Sequence, residues 1–189
     1  MNKLFTVILL SAALGVAQSR LPILGTGKSG ISGCSTSADT VTGTTSSTYS
    51  IGQFGGQRGK GMPFVAGGSY TICSATIRLS KTGTAAFNLH AYIYTNVSSL
   101  PGAQVGTGSA SVAASSVGST EQDVVFSGMS VSLTSGTTYW LCLVPDSFDG
   151  SNYINWAAST GSLTIAEYNG SIWDAFTTFA ASGKFTLYR

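Results

Sequence analysis

The chain has 189 residues, 43% of them hydrophobic, which is enough for one domain with a real core and excludes a disordered composition. Only 8% are charged and the net charge is +2; Arg58, Lys60, Arg78, Lys81, Lys184 and Arg189 are scattered singly rather than in the basic stripe of a polynucleotide binder. Gly, Ser and Thr take the place of charge, a bias that suits secreted proteins, fibres and virion components better than cytosolic enzymes.

Met1–Ala17 reads as a secretory signal. Lys3 gives a basic start, Leu4–Val16 is an apolar run, and Gly15, Val16 and Ala17 supply small residues before a cut at Gln18. The run is too short for a stable transmembrane span. If retained, the same segment is an apolar arm that needs a partner to bury it. Residues 18–47 read as a linker or assembly arm. Arg20 to Leu24 is a short apolar patch, and Gly25–Ser47 is a Gly/Ser/Thr tract with little to bury.

Residues 48–189 read as a single all-β domain. Short apolar runs predict strands near Tyr49–Phe54, Tyr70–Ser80, Ala86–Thr95, Gln104–Val112, Gln122–Phe126, Val131–Leu133, Thr138–Val144, Tyr153–Trp156, Leu163–Tyr168 and Lys184–Tyr188. Gly-containing turn signals separate them, and no long helical period appears, so an antiparallel sandwich is expected. Alternation places Cys73, Ala75, Ile77 and Leu79 inward, and likewise Phe87, Leu89, Ala91 and Ile93. Asn88, His90, Tyr92 and Tyr94 then share the outer face. Tyr139–Val144 is apolar on both faces, as expected of a central strand covered on both sides. Asn169-Gly170 reads as a two-residue hairpin turn.

The order Ala91–Tyr94, Leu100–Gly102, Val124–Phe126 and Leu133–Leu141, followed by Asn155-Trp156, Gly170–Trp173 and Phe185–Tyr188, resembles the jelly-roll modules of bacterial surface and secreted proteins known as choice-of-anchor domains. It is also similar to domains of phage tail, fibre and decoration proteins. The resemblance covers roughly residues 70–188 and implies a jelly-roll β-sandwich, most often non-catalytic. The chain departs from the secreted pattern in showing no C-terminal sorting or anchor segment, which leaves its means of attachment open.

Chemistry is sparse. The single histidine, His90, sits mid-strand, and no Gly-x-Ser-x-Gly elbow accompanies it, so a surface or structural role is expected over a triad. Seven carboxylates always offer some pair, so their number is no sign of glycoside hydrolysis. Asp146 and Asp149, with Asn152, form the densest oxygen-donor loop; it reads as an Asx-rich turn, with a structural calcium as the sharper alternative. No cofactor motif is present. Cys34, Cys73 and Cys142 lack zinc spacing. Cys73 and Cys142 fall in core-like strands and read as packed thiols or as a sheet-to-sheet disulfide, while Cys34 in the leader could equally bond between chains.

Two surfaces stand out. Sugar binders stack aromatic rings on apolar sugar faces and add amide or carboxylate hydrogen bonds. Tyr153, Asn155, Trp156, Tyr168, Trp173 and Asp174 offer that mixture; the competing reading has Trp156 and Trp173 as core plugs. The outward stripe His90, Tyr92 and Tyr94 is the second. The expectation is a non-catalytic extracellular or cell-surface module that binds a glycan or other cell-surface ligand. The alternative is a phage virion component whose arm seats on neighbouring subunits, and either can be a homo-oligomer.

Overall fold

The computed structural model describes residues 34–53, 58–160, 165–176 and 181–189. The apolar run Leu4–Val16, the cut before Gln18, the Arg20–Leu24 patch and the glycine pair Gly55-Gly56 lie outside the described residues. In chain order the first strands are β1 (Ser37–Val41), β2 (Thr45–Ile51), β3 (Gly59–Val65), β4 (Tyr70–Thr82) and β5 (Asn88–Val97). Next come β6 (Leu100–Val105), β7 (Val112–Ala113), β8 (Gln122–Leu133), β9 (Thr138–Pro145) and β10 (Tyr153–Thr160). The last are β11 (Ile165–Tyr168), β12 (Trp173–Phe176), β13 (Ala181–Gly183) and β14 (Phe185–Tyr188). They form two antiparallel sheets packed face to face, so the all-β sandwich expectation holds. Among the described residues, no helix is long and apolar enough to cross a membrane.

β4 is the spine of the first sheet. β8 pairs along one edge, from Tyr70↔Leu133 to Leu79↔Gln122. The other edge is shared between two partners: Leu79–Thr82 pair with β10, and Ser74–Ile77 pair with β14. β13 pairs with β10 at Ala158–Thr160, so the chain from 181 to 188 fills the fork where β10 leaves β4. β2 flanks β10, and β1 flanks β14. The sheet therefore begins at Ser37, and the assignment of residues up to 47 to a leader is corrected at its last ten or so positions. Their Ser/Thr content hid β1 and β2 because it carries little apolar alternation.

The second sheet runs β12-β11-β3-β9-β5-β6, with β7 also on β5. It curls into a half-barrel whose edge strands β12 and β6 touch. A register shift between Tyr94 and Asn96 supplies part of the curl, since a bulge sharpens local twist. β3 supplies more: Gly59, Gly61 and Pro63 keep its outer side bare.

Period-2 alternation builds the core. Ala75, Ile77 and Leu79 of β4 and Phe87, Leu89, Ala91 and Ile93 at β5 all point inward and are buried. Cys73 breaks the expected pattern. The register slips between Ile72 and Ser74, which turns Ile72 inward and leaves Cys73 half-buried. Cys73 bonds to Cys34, with Cα atoms 5.8 Å apart, and Cys142 is a buried free thiol. The proposed Cys73–Cys142 bridge is thus corrected. Cys142 lies on the outer side of β9 in the second sheet and cannot reach across the core to β4.

Two buried features stand out, one in the fork and one in the second sheet. Trp156, fully buried, donates from Nε1 to the Lys184 carbonyl at 3.0 Å. Its ring lies on Gly183, where an added Cβ would stand 2.7 Å from Cε2 and 2.9 Å from the Met62 methyl. Lys60 of β3 points inward beside Leu143 and ion-pairs with Glu167 of β11. Burial lowers the Lys60 pKa to about 8.

Candidate functional site

The concave outer face of the second sheet gathers the aromatic residues that the inner core does not use. Along β5 every second residue faces out, which places His90, Tyr92 and Tyr94 in a row. On β9 the same alternation turns Trp140, Cys142 and Val144 outward, while Tyr139, Leu141 and Leu143 fill the main core. β11 and β12 add Tyr168 and Trp173, which are opposite each other in register.

These side chains form a floor and a rim. Trp140, Cys142 and Ala166 are buried as a small second core, packed by Tyr94, Leu100, Val144 and Trp173. Gly61 is needed beneath them: a Cβ there would stand 3.0 Å from Cys142 Sγ, 3.3 Å from Trp140 Cε3 and 3.4 Å from Pro101 Cγ. Trp140 Nε1 donates to Asn96 Oδ1 at 2.8 Å, satisfying the one polar atom of the ring. Burial holds the Cys142 thiol protonated, which makes it packing material and not a nucleophile.

The rim is a chain of half-buried rings. His90 stacks on Tyr92 with centroids 5.9 Å apart, and Tyr92 meets Tyr94 edge-on at 6.3 Å. Tyr94 reaches across the curl to Trp173 at 5.7 Å, and Trp173 packs on Tyr168 at 5.1 Å. Tyr168 and Trp173 of the first surface read from the sequence therefore join the stripe His90, Tyr92 and Tyr94 of the second. Tyr94 is the hinge: burial first, then the neighbouring Cys142, Tyr92 and Tyr168, push its phenol up to about 12. A group whose folded pKa is raised contributes stability below its unfolded value and loses it as pH climbs through the folded one. An absorbance titration should show Tyr94 ionising near 12 rather than 10.0, with stability falling across that window and the late step absent in Tyr94→Phe.

The other predicted site residues go elsewhere. Tyr153, Asn155 and Trp156 belong to β10 in the first sheet. Trp156 is core, so its reading as a ligand-stacking ring is corrected; Asn155 before it is polar, but the face of β10 that carries Trp156 is inward. Asn155 Nδ2 donates to Thr82 Oγ1 at 2.9 Å, and Tyr153 is half-buried opposite Thr82. Asp174 is exposed and accepts from Asn169 Nδ2 at 3.2 Å, at the edge of the ring chain. The turn before it spans Asn169–Ile172, four residues rather than two, because β12 begins at Trp173.

Asp146 and Asp149 serve different partners. Asp146 takes the Asn88 N–H and Nδ2, each at 2.9 Å, and these bonds hold its carboxyl below the usual range. Asp149 takes the Ser151 N–H and Asn152 Nδ2, which closes a local Asx turn and lowers its pKa too. Among the described residues, no group of three or more His, Cys, Asp or Glu side chains could hold a metal ion.

Trp140 and Leu100 are not legible as site residues in the sequence, and Cys142 is legible only as a packed thiol or disulfide partner. The signal for Trp140 and Cys142 was present in the two-faced apolar run Tyr139–Val144, since an outer face that is not solvent must have something to cover; Leu100 lies outside that run. No family model, curated protein or solved structure matches the chain.

Proposed function

We propose that this chain is a non-catalytic recognition module of the extracellular space or cell surface. It takes a glycan or similar cell-surface material on the concave aromatic face of the second sheet. The observation that carries this reading is the continuous run His90–Tyr92–Tyr94–Trp173–Tyr168, half-buried on a curled face. Half-buried rings present apolar surface to the C–H faces of a sugar, and Asn169 and Asp174 at one end and Asn88 and Asp146 at the other suit its hydroxyls. His90 stacks on Tyr92, and both oxygens of Asp146 are engaged by Asn88, which favours binding over acid–base chemistry.

Strand order supports a jelly roll. The neighbours β2-β10-β4-β8 lie over β3-β9-β5-β6, the arrangement of two interleaved Greek keys, with β13 and β14 intruding between β10 and β4. The Cys34–Cys73 bond supports an oxidising compartment.

Glycan-array screening followed by titration calorimetry tests the proposal. Trp173→Ala should weaken the best ligand about thirty-fold, the size of a stacking hot spot worth ~2 kcal/mol. A silent array, or an unaltered affinity in Trp173→Ala, would count against it. The virion reading rests on the 8% charge and the Gly/Ser/Thr leader. Mass determination of the mature N-terminus separates the two: a chain starting at Gln18 has lost the apolar segment, residues 1–17, that would seat on neighbouring subunits.

A further inference from the structure

The turn between Tyr168 and Trp173 holds an Asn-Gly pair, Asn169-Gly170, in a geometry that favours a reaction of the chain with itself. Asn169 Oδ1 accepts two backbone N–H groups, from Ser171 at 3.0 Å and Ile172 at 3.1 Å. Two such donors polarise the side-chain carbonyl and stabilise the oxyanion that forms when a nucleophile adds to Cγ. The nucleophile is the next backbone nitrogen. Gly170 brings no Cβ to obstruct its approach and stands at φ +102°, where other residues are strained.

Two charged groups complete the arrangement. Asp174 Oδ2 accepts from Asn169 Nδ2 at 3.2 Å, so a carboxylate stands beside the amine that must leave and can relay its proton. The Arg58 guanidinium lies against Gly170, with Nη1 2.5 Å from where a Cβ would stand. A cation there favours loss of the proton on the attacking nitrogen. Asn88, Asn96, Asn152 and Asn155 are followed instead by Leu89, Val97, Tyr153 and Trp156, whose side chains hinder the same attack.

The geometry points to Asn169 as a self-modification site, where the side-chain amide becomes a carboxylate through a cyclic imide. The Gly170 N–Cγ bond forms, the Cγ–Nδ2 bond breaks, and ammonia leaves with the proton from Gly170. Water then adds to either imide carbonyl, leaving aspartate or isoaspartate at 169; nothing is oxidised or reduced. The Asn169 Nδ2 bond to Asp174 is replaced by two facing carboxylates next to Arg58. The edge of the ring chain thus gains negative charge, whether or not a ligand binds there.

The test incubates the full folded chain at mildly alkaline pH, with a denatured sample and Asn169→Gln beside it, and maps peptides by mass. The expected result is an amide-to-acid mass change at Asn169 in the folded chain, with isoaspartate detected by enzymatic methylation. Asn88, Asn96, Asn152 and Asn155 stay intact, and the signal is absent in Asn169→Gln. Conversion at Asn169 only in the denatured sample, or equal conversion at the other asparagines, would overturn the assignment.

Discussion

Trp156→Ala should lower the free energy of unfolding by about 3–5 kcal/mol, read from urea denaturation followed by circular dichroism. The indole fills the fork where β10 leaves β4, and Nε1 satisfies the Lys184 carbonyl. Truncation opens a cavity and removes one of that carbonyl's two donors, the Arg78 N–H at 3.1 Å remaining, so the cavity is the larger penalty. Gly183→Ala pushes on the same ring from the other side and should lower stability by about 1–3 kcal/mol. In the double variant the new methyl enters the space the indole has left, so the loss should be smaller than the sum of the two. Additive losses would mean that the ring and Gly183 do not share that space.

Glu167→Ala should be nearly as harmful, at about 3–5 kcal/mol, because it takes the neutralising carboxylate away from the buried Lys60 amine. Replacing both partners, as Lys60→Met with Glu167→Leu, should come close to neutral, since packed apolar groups need no compensating charge. The loss should also depend on pH. Burial depresses Lys60 from 10.5 to about 8, a shift that the Glu167 carboxylate opposes and that its removal deepens. A depressed folded pKa means stability is present above the unfolded value and is lost as pH falls through the folded one. The Glu167→Ala deficit is therefore greatest well below 8 and shrinks as pH rises to about 8, above which the amine is neutral in both folded forms. A deficit that stays flat below about 8 would mean that the Glu167 carboxylate does not set the charge of Lys60.

The central strands were legible because their burial is regular. β4 and β5 alternate over long runs, and Tyr139–Val144 announced a strand covered on both faces. What failed to read was punctuation. Pro101-Gly102 looked like a turn but lies within β6; the turn is at Ser98 and Ser99, which adopt φ of 50° and 62° without a glycine. Gln122–Phe126 and Val131–Leu133 read as two strands, yet Gly128 at φ 79° carries β8 through without interruption. β3 was invisible because Gly59, Gly61 and Pro63 are poor strand formers, chosen by the space under Trp140 and Cys142 rather than by propensity. The ring chain was half legible. Each strand's outward rings could be named, but their meeting depends on curl, which alternation does not encode.

The placement of β14 has a kinetic corollary. β1 is among the earliest strands to leave a ribosome, and its partner β14 is among the last. β4 likewise waits for β10 and β14 before either neighbour on that edge is in place. Pairings so distant along the chain make assembly slow, and until residues 181–188 emerge the nascent first sheet exposes a hydrogen-bonding margin to any passing strand.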